Sequence, residues 1–235
     1  MTMTVRPIIN PNNNDISDIP LIKQIRFFIN QIDLSNGIKL TKAGNLPPII
    51  VKELYQQEIL KDYFIDRGIT KLSKETDCNA IVLTRILCEQ SGLIKKRNGV
   101  LTVTKKAVDI VGSNKLLPLI FSTFTEKFSW GFFDGYQNDY IGQLGWGYSL
   151  MLISQYGDIT RNSKYYAEKY FEVYPHLLTL KAYDGSIHSI DSNYNCYSVR
   201  TFERFLDYFG FTEATEKKLE CTVNKTDLFD KFISF

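Results

Sequence analysis

A unit written three times constrains this chain more than any other feature. Each copy has a helix-like stretch, a short strand of alternating apolar and polar residues, and a Thr or Asn followed by Lys at the strand end. That end reads Ile38-Lys39-Leu40-Thr41-Lys42, then Leu101-Thr102-Val103-Thr104-Lys105, then Cys221-Thr222-Val223-Asn224-Lys225. A period of two belongs to a strand with one buried face. The Thr or Asn stands where an N-cap is expected, its side-chain oxygen available to the unpaired N–H groups of a following helix. Such a chain should be a mainly helical α+β protein in which small hairpins punctuate the helices, with no continuous sheet of more than four strands.

Of the 235 residues, 44% are hydrophobic and 14% aromatic, enough to bury the core of one large domain or two small ones. A net charge of +2 supplies no overall field for nucleic acid or an anionic membrane, so such binding needs a local patch. The amino terminus is polar and Asn-rich without an apolar h-region, and the apolar stretch 141–153 is too short to span a bilayer. No CxxC occurs among Cys78, Cys88, Cys196 and Cys221; Cys88 and Cys221 fall at apolar positions of a helix and a strand. These features describe a cytoplasmic protein with reduced thiols and no membrane contact.

Apolar spacing predicts helices over 21–32, 49–65, 69–76, 79–91, 141–156, 165–174 and 198–209, with a polar loop over 183–195. Asn79 opens the strongest amphipathic stretch, whose apolar face carries Val82, Leu83, Ile86 and Leu87, and Gly92 supplies its stop. Asn98-Gly99 suits a type I′ turn in the hairpin that follows. A second hairpin turns near Glu216-Lys217-Lys218, and 227–232 closes the chain. Gly142, Gly145 and Ser149 form a strip that allows close approach of another backbone.

The run 72–111, with Gly92-Leu93-Ile94 after a helix, a basic hairpin and the exit Thr104-Lys105-Lys106, resembles the winged-helix (winged helix-turn-helix) DNA-binding superfamily. There a recognition helix is followed by Gly-Leu-Ile, a two-stranded wing and a Thr-Lys exit. The resemblance implies a non-enzymatic nucleic-acid-binding or transcription-regulating protein. It divides the chain into a flexible arm (1–20), a winged-helix-like domain (21–112), an aromatic-rich helical segment (113–190) and a second winged-helix-like unit (191–235). The run Leu40-Thr41-Lys42-Ala43-Gly44-Asn45-Leu46-Pro47 also resembles uncharacterised plasmid and transposon-passenger proteins, which implies no activity.

From the resemblance and the charge pattern, Lys95, Lys96, Arg97, Lys105 and Lys106 become phosphate-contact candidates, with Arg85 adding a contact from the preceding helix. No carboxylate interrupts 92–106. A solvated hairpin whose lysines protect a strand edge gives the same pattern. Thr84, Cys88 and Ser91 lie on the less apolar helix face, poorly suited to base reading, so contact with the backbone of duplex DNA is the expected mode. The competing reading is a non-catalytic scaffold that binds a protein partner or itself. The aromatics of 121–148 suit core packing better than a ligand pocket. His176, His188 and Cys196 lack metal-ligand spacing, and Asp134, Asp139, Asp184 and Asp191 sit among turn-forming residues. No catalytic residue, metal or cofactor is therefore expected.

Overall fold

The computed structural model describes residues 5–11, 16–32, 34–136, 138–178, 190–214 and 221–235. Its helices are α1 (Pro20–Asn30), α2 (Pro48–Tyr55), α3 (Tyr63–Asp66), α4 (Asn79–Gln90), α5 (Lys105–Ile110) and α6 (Leu116–Ser122). After these come α7 (Trp146–Tyr156), α8 (Ser163–Val173), α9 (Ile190–Ser198) and α10 (Asp227–Phe232). The strands are β1 (Ile8–Ile9), β2 (Ile38–Lys39), β3 (Ile94–Arg97), β4 (Val100–Val103), β5 (Arg161–Asn162), β6 (Thr212–Ala214), β7 (Thr222–Lys225) and β8 (Ile233–Ser234). Among the described residues they pair into small antiparallel sheets, ordered β1-β8, β2-β4-β3 and β5-β7-β6. The fold is therefore mixed and mainly helical. No helix of the described residues is long and apolar enough to cross a membrane.

The chain forms two compact units: an N-terminal one, Pro11–Phe128, and a C-terminal one, Ser129–Phe235 with the first ten residues. In the N-terminal unit α1 buries Leu21, Ile25 and Phe28, and packs on α2, α4 and α6. Gln24 sits on that buried face because Thr84 satisfies it: its Nε2 donates to Thr84 Oγ1 at 2.8 Å. The helix expected over 49–65 is broken, because Glu58 takes a left-handed φ of 51° and Asp62 captures the N–H groups of Phe64 and Ile65 as an N-cap. Of the helix expected over 69–76 only a 3-10 turn, Glu75–Asp77, is present. The hairpin turn adopts positive φ at both Asn98 (49°) and Gly99 (73°), as a type I′ turn requires.

The C-terminal unit has an aromatic core of Tyr166, Tyr170, Tyr174, Tyr197, Phe202 and Phe205, with Phe209, Phe211 and Phe229 beside them, all fully buried. The Tyr170 and Tyr197 rings lie 4.4 Å apart, and Tyr170 donates its hydroxyl to the Leu144 carbonyl at 2.6 Å. Helix α7 begins at Trp146 rather than near 141, because Gly145 holds a left-handed φ of 78° against the Tyr174 ring. Residues 190–195, expected in a loop, belong to α9, which places Tyr194 in a stack on Phe171 at 5.5 Å. Part of the expected arm is ordered too, since Ile8 and Ile9 pair with β8 and Ile16 and Ile19 are fully buried. The aromatic run of 121–148 divides between the units. Phe121, Phe124 and Phe128 are buried in the first, Trp130 and Tyr148 in the second.

The threefold sequence unit resolves into a twofold structural one. The first two copies are neighbouring strands of one sheet: Ile38 faces Leu101. Thr41 caps no helix; its Oγ1 accepts the Asn45 N–H in a turn well before α2. The true repeat relates the two units. In each, a helix ends on a left-handed glycine, Gly92 (φ 75°) or Gly210 (φ 67°). The next N–H reaches back five residues, Leu93 to the Cys88 carbonyl and Phe211 to that of Leu206. A hairpin follows, closed by a threonine whose hydroxyl donates to the glycine carbonyl: Thr104 to Gly92 at 2.8 Å, Thr226 to Gly210 at 2.6 Å. Thr226, not Asn224, thus answers to Thr104, and Asp227 answers to Lys105. Both sheets share the order in which the outlying short strand pairs with the second hairpin strand. The expected turn at Glu216-Lys217-Lys218 lies outside the described residues.

One charged group anchors the C-terminal unit. Arg200 is fully buried, and its guanidinium forks onto Asp134 with Nε–Oδ2 2.9 Å and Nη2–Oδ1 2.8 Å. Its remaining Nη1 donates to the carbonyls of Asn138 (2.6 Å) and Ile141 (3.2 Å), tying Asp134, Asn138 and Ile141 to the π-helical turn Val199–Leu206. Arg200→Met should lower unfolding free energy by about 3–5 kcal/mol, because it leaves a buried carboxylate short of its main partner. Arg200→Lys should recover less than half of this, since an ammonium cannot reproduce the planar fork. Urea denaturation of the three proteins checks the order. Thr104→Ala, which removes both the cap to Ala107 and the bond to Gly92, should cost about 1 kcal/mol in the same assay.

Candidate nucleic-acid interface

The hairpin of β3 and β4 carries Lys95, Lys96 and Arg97, all exposed. Directly opposed residues of an antiparallel pair share a face, and successive residues alternate. The register Ile94↔Val103, Lys96↔Leu101 and Ile38↔Leu101 therefore defines an inner face, with Ile38, Ile94 and Leu101 buried. Lys95↔Thr102, Arg97↔Val100 and Lys39↔Val100 define the outer face. Lys95, Arg97 and the exposed Lys39 thus point to solvent together. Lys96 belongs to the inner side, where its Nζ lies beside Gly44. Lys39 is a member that sequence reasoning missed. Its outward direction is legible from Ile38 pointing in, but the pairing of β2 with β4 spans about sixty residues and leaves no local signal.

Two of the other candidate cations, Arg85 and Lys106, are engaged within the fold. The Arg85 side chain is only 17% exposed: its Nε lies 2.7 Å from Glu75 Oε1, outside hydrogen-bond geometry, and its Nη1 donates to the Gly44 carbonyl at 2.8 Å. Glu75 is fully buried and its other oxygen accepts the Leu46 N–H at 2.7 Å. Burial pushes the Glu75 carboxyl above the usual carboxylate range, outweighing the Leu46 N–H and Arg85. Lys106 donates to the Ser91 carbonyl at 2.7 Å, placing a cation at the negative end of α4 and offsetting its awkward position in the first turn of α5. Lys105 and Lys42 are exposed. Lys225 occupies the register position of Val103, not of Lys105, and bridges Asp158 (2.7 Å) and Asp230 (2.9 Å).

Helix α4, expected from the resemblance to be a recognition helix, is enclosed. It packs against α1 on one side and the π-helical turn Thr123–Lys127 on another. Thr84, Cys88 and Ser91, the face considered for reading bases, are buried. Thr84 also bonds back to the Ala80 carbonyl at 2.7 Å. Asn79 is half-buried at the start of α4, and toward its C-terminal end Glu89 accompanies Arg85.

The remaining candidates that the structure describes lie apart or serve structural roles. Asp134 is held by Arg200 and Arg204, and Asp139 adjoins Gly131 in the same cluster. Asp191 is exposed in the first turn of α9. His176 is exposed and Cys196 buried, while Asp184 and His188 lie outside the described residues. All four cysteines are free and buried, and burial raises their thiols, to about 11 for Cys78 and Cys221 and about 12 for Cys196. Among the described residues no group of three or more His, Cys, Asp or Glu could hold a metal ion. The N-terminal unit does present an apolar groove of about 410 Å³ between the end of α1 and α5. Ile29, Ile32, Leu34, Val103, Val108 and Val111 line it, with Leu34 80% and Val108 70% exposed.

Residues 17–116 match the family described as the Y4jL N-terminal domain, less than half of the chain and wholly inside the N-terminal unit. No curated protein and no solved structure matches the chain.

The enclosed ion pair generates a pH-dependent expectation. Removing its cation, as in Arg85→Met, leaves the Glu75 carboxylate buried without an opposite charge and raises its folded pKa further. A raised carboxyl contributes stability fully present below its unfolded value, about 4.3, and lost as pH rises through the folded value. The variant should therefore be about 3 kcal/mol less stable than the parent at pH 7 and closer to it near pH 4. Chemical denaturation at the two pH values reads the difference directly.

Proposed function

We propose that this chain is a nucleic-acid-binding protein of winged-helix type that holds the phosphate backbone through the basic hairpin 94–103 of its N-terminal unit. The observation that carries the reading is the cluster of exposed cations on a hairpin whose backbone is rigidly set at both ends. A type I′ turn fixes the tip, and the Thr104–Gly92 bond fixes the base. A backbone already fixed loses little freedom on meeting phosphates, and the released counterions supply the driving force. The order helix, strand, helix, helix, hairpin, with the short strand on β4, supports the winged-helix comparison in the N-terminal unit, and its repetition supports it in the C-terminal one. Enclosure of α4 favours backbone contact without base reading, as suits a general rather than sequence-selective binder.

A second reading rests on the apolar groove beside α5. Leu34 and Val108 expose apolar surface of the kind found where a protein partner docks, so a scaffold role competes with nucleic-acid binding. The two separate in one assay. Changing Lys95, Lys96 and Arg97 together to Ala should weaken binding to unrelated duplexes about equally and reduce the log–log salt slope by about 0.9 for each phosphate no longer neutralised. Stability should change by no more than about 0.5 kcal/mol, as for other exposed substitutions. Absence of binding by the parent protein at low salt would remove the nucleic-acid reading and leave the scaffold one.

A further inference from the structure

We propose that the N-terminal unit meets nucleic acid with the flat outer face of its sheet, Lys39, Lys95 and Arg97, and that the C-terminal unit repeats the scaffold without this contact. The proposal rests on the nucleic-acid reading and names the surface and the partner chemistry: a phosphate backbone gripped across three strands, with the bases unread. A hairpin that acted by its tip alone would use Lys95, Lys96 and Arg97 alike. The register divides them differently. Lys39 and Arg97 both lie opposite Val100, on either side of it, and Lys95 lies opposite Thr102, so the three cations share one face. Neighbouring strands are about 4.8 Å apart, which puts the Lys39 and Arg97 backbones roughly 10 Å from one another, with flexible side chains able to span adjoining phosphates. Lys96 projects to the opposite side, over Gly44.

The C-terminal sheet provides an internal comparison. Its pairs Arg161↔Val223, Asn162↔Thr222, Glu213↔Asn224 and Ala214↔Val223 answer to Ile38↔Leu101, Lys39↔Val100, Lys95↔Thr102 and Lys96↔Leu101. On the outer face Lys39 is thus matched by Asn162, Lys95 by Glu213 and Thr102 by Asn224. The same closing threonine and helix-ending glycine hold both sheets, so the second keeps the surface and not its charge. A cation at the positions of Lys39 and Lys95 is not required by the architecture, because the second sheet holds Asn162 and Glu213 there. Lys39 and Lys95 are therefore surface chemistry, free to serve a ligand.

The test is a salt titration of the full chain against a random-sequence DNA duplex, with circular dichroism confirming the fold of each variant. Lys39→Ala, Lys95→Ala and Arg97→Ala should each lower the log–log salt slope by about 0.9, while Lys96→Ala lowers it by less than any of these and Glu213→Lys leaves it unchanged. An unchanged slope in Lys39→Ala together with a reduced one in Lys96→Ala would overturn the outer-face assignment while leaving the hairpin reading intact. A changed slope in Glu213→Lys would overturn the assignment of the contact to one unit. If the parent chain does not bind at low salt, the hairpin reading fails and this proposal fails with it.

Discussion

Both three-stranded sheets are latched by a hydrogen bond that a threonine hydroxyl gives to the carbonyl of a left-handed glycine. The glycine ends a helix and leaves carbonyls that no intrahelical N–H can reach. Five-residue back-bonding satisfies one, and the threonine satisfies the glycine's own. The consequence is geometric. The residue just before the hairpin and the residue just after it are pinned to the same helix end, which holds the sheet against the helix. In the N-terminal unit Thr104 also accepts the Ala107 N–H, extending the restraint into α5. In the C-terminal unit Thr226 makes the glycine bond without such a cap. The glycine bond is the shared element.

Around these latches each unit uses one enclosed ion pair for cohesion. Arg200 joins the stretch from Asp134 to Ile141 to its own π-helical turn, and its guanidinium satisfies two backbone carbonyls besides its carboxylate. Glu75 plays the mirrored part in the N-terminal unit, where a carboxylate receives the Leu46 N–H and faces Arg85. Buried charges of this type give little net stability but forbid alternatives, since any rearrangement strands a charge in an apolar interior. Arg85 is consequently withdrawn from the surface, and the cations available to a ligand are those the fold does not need.

Much of this was legible in the chain, and the failures have identifiable physical causes. Helix α4, the Asn98-Gly99 turn and the Gly92 stop follow from spacing and turn chemistry that act within a few residues. The aromatic core of the C-terminal unit was harder, because Tyr194 and Tyr197 in α9 pack by tertiary contact inside a polar-looking stretch. Local capping also misled. Thr41 and Asn224 resemble Thr104 in their neighbours, yet whether a threonine caps depends on where the chain turns, and only the paired register shows that Thr226 holds the equivalent place. Arg85 and Lys106 read as free cations, since the partners that claim them lie ten and fifteen residues away.

The duplication gives the charge pattern its meaning. Two sheets with the same strand order, register and latch form a comparison within one molecule, in which differences at equivalent positions are not demanded by folding. On the inner faces both copies keep a buried apolar residue at the central position, Leu101 in one and Val223 in the other. On the outer faces they part, lysine against glutamate and lysine against asparagine. Burial constrains the inner face by volume and polarity, whereas the outer face answers only to what it meets in solution. Three cations gathered on the unconstrained face of one copy are therefore the local charge on which the proposed contact rests, since the charge of the whole chain is nearly balanced.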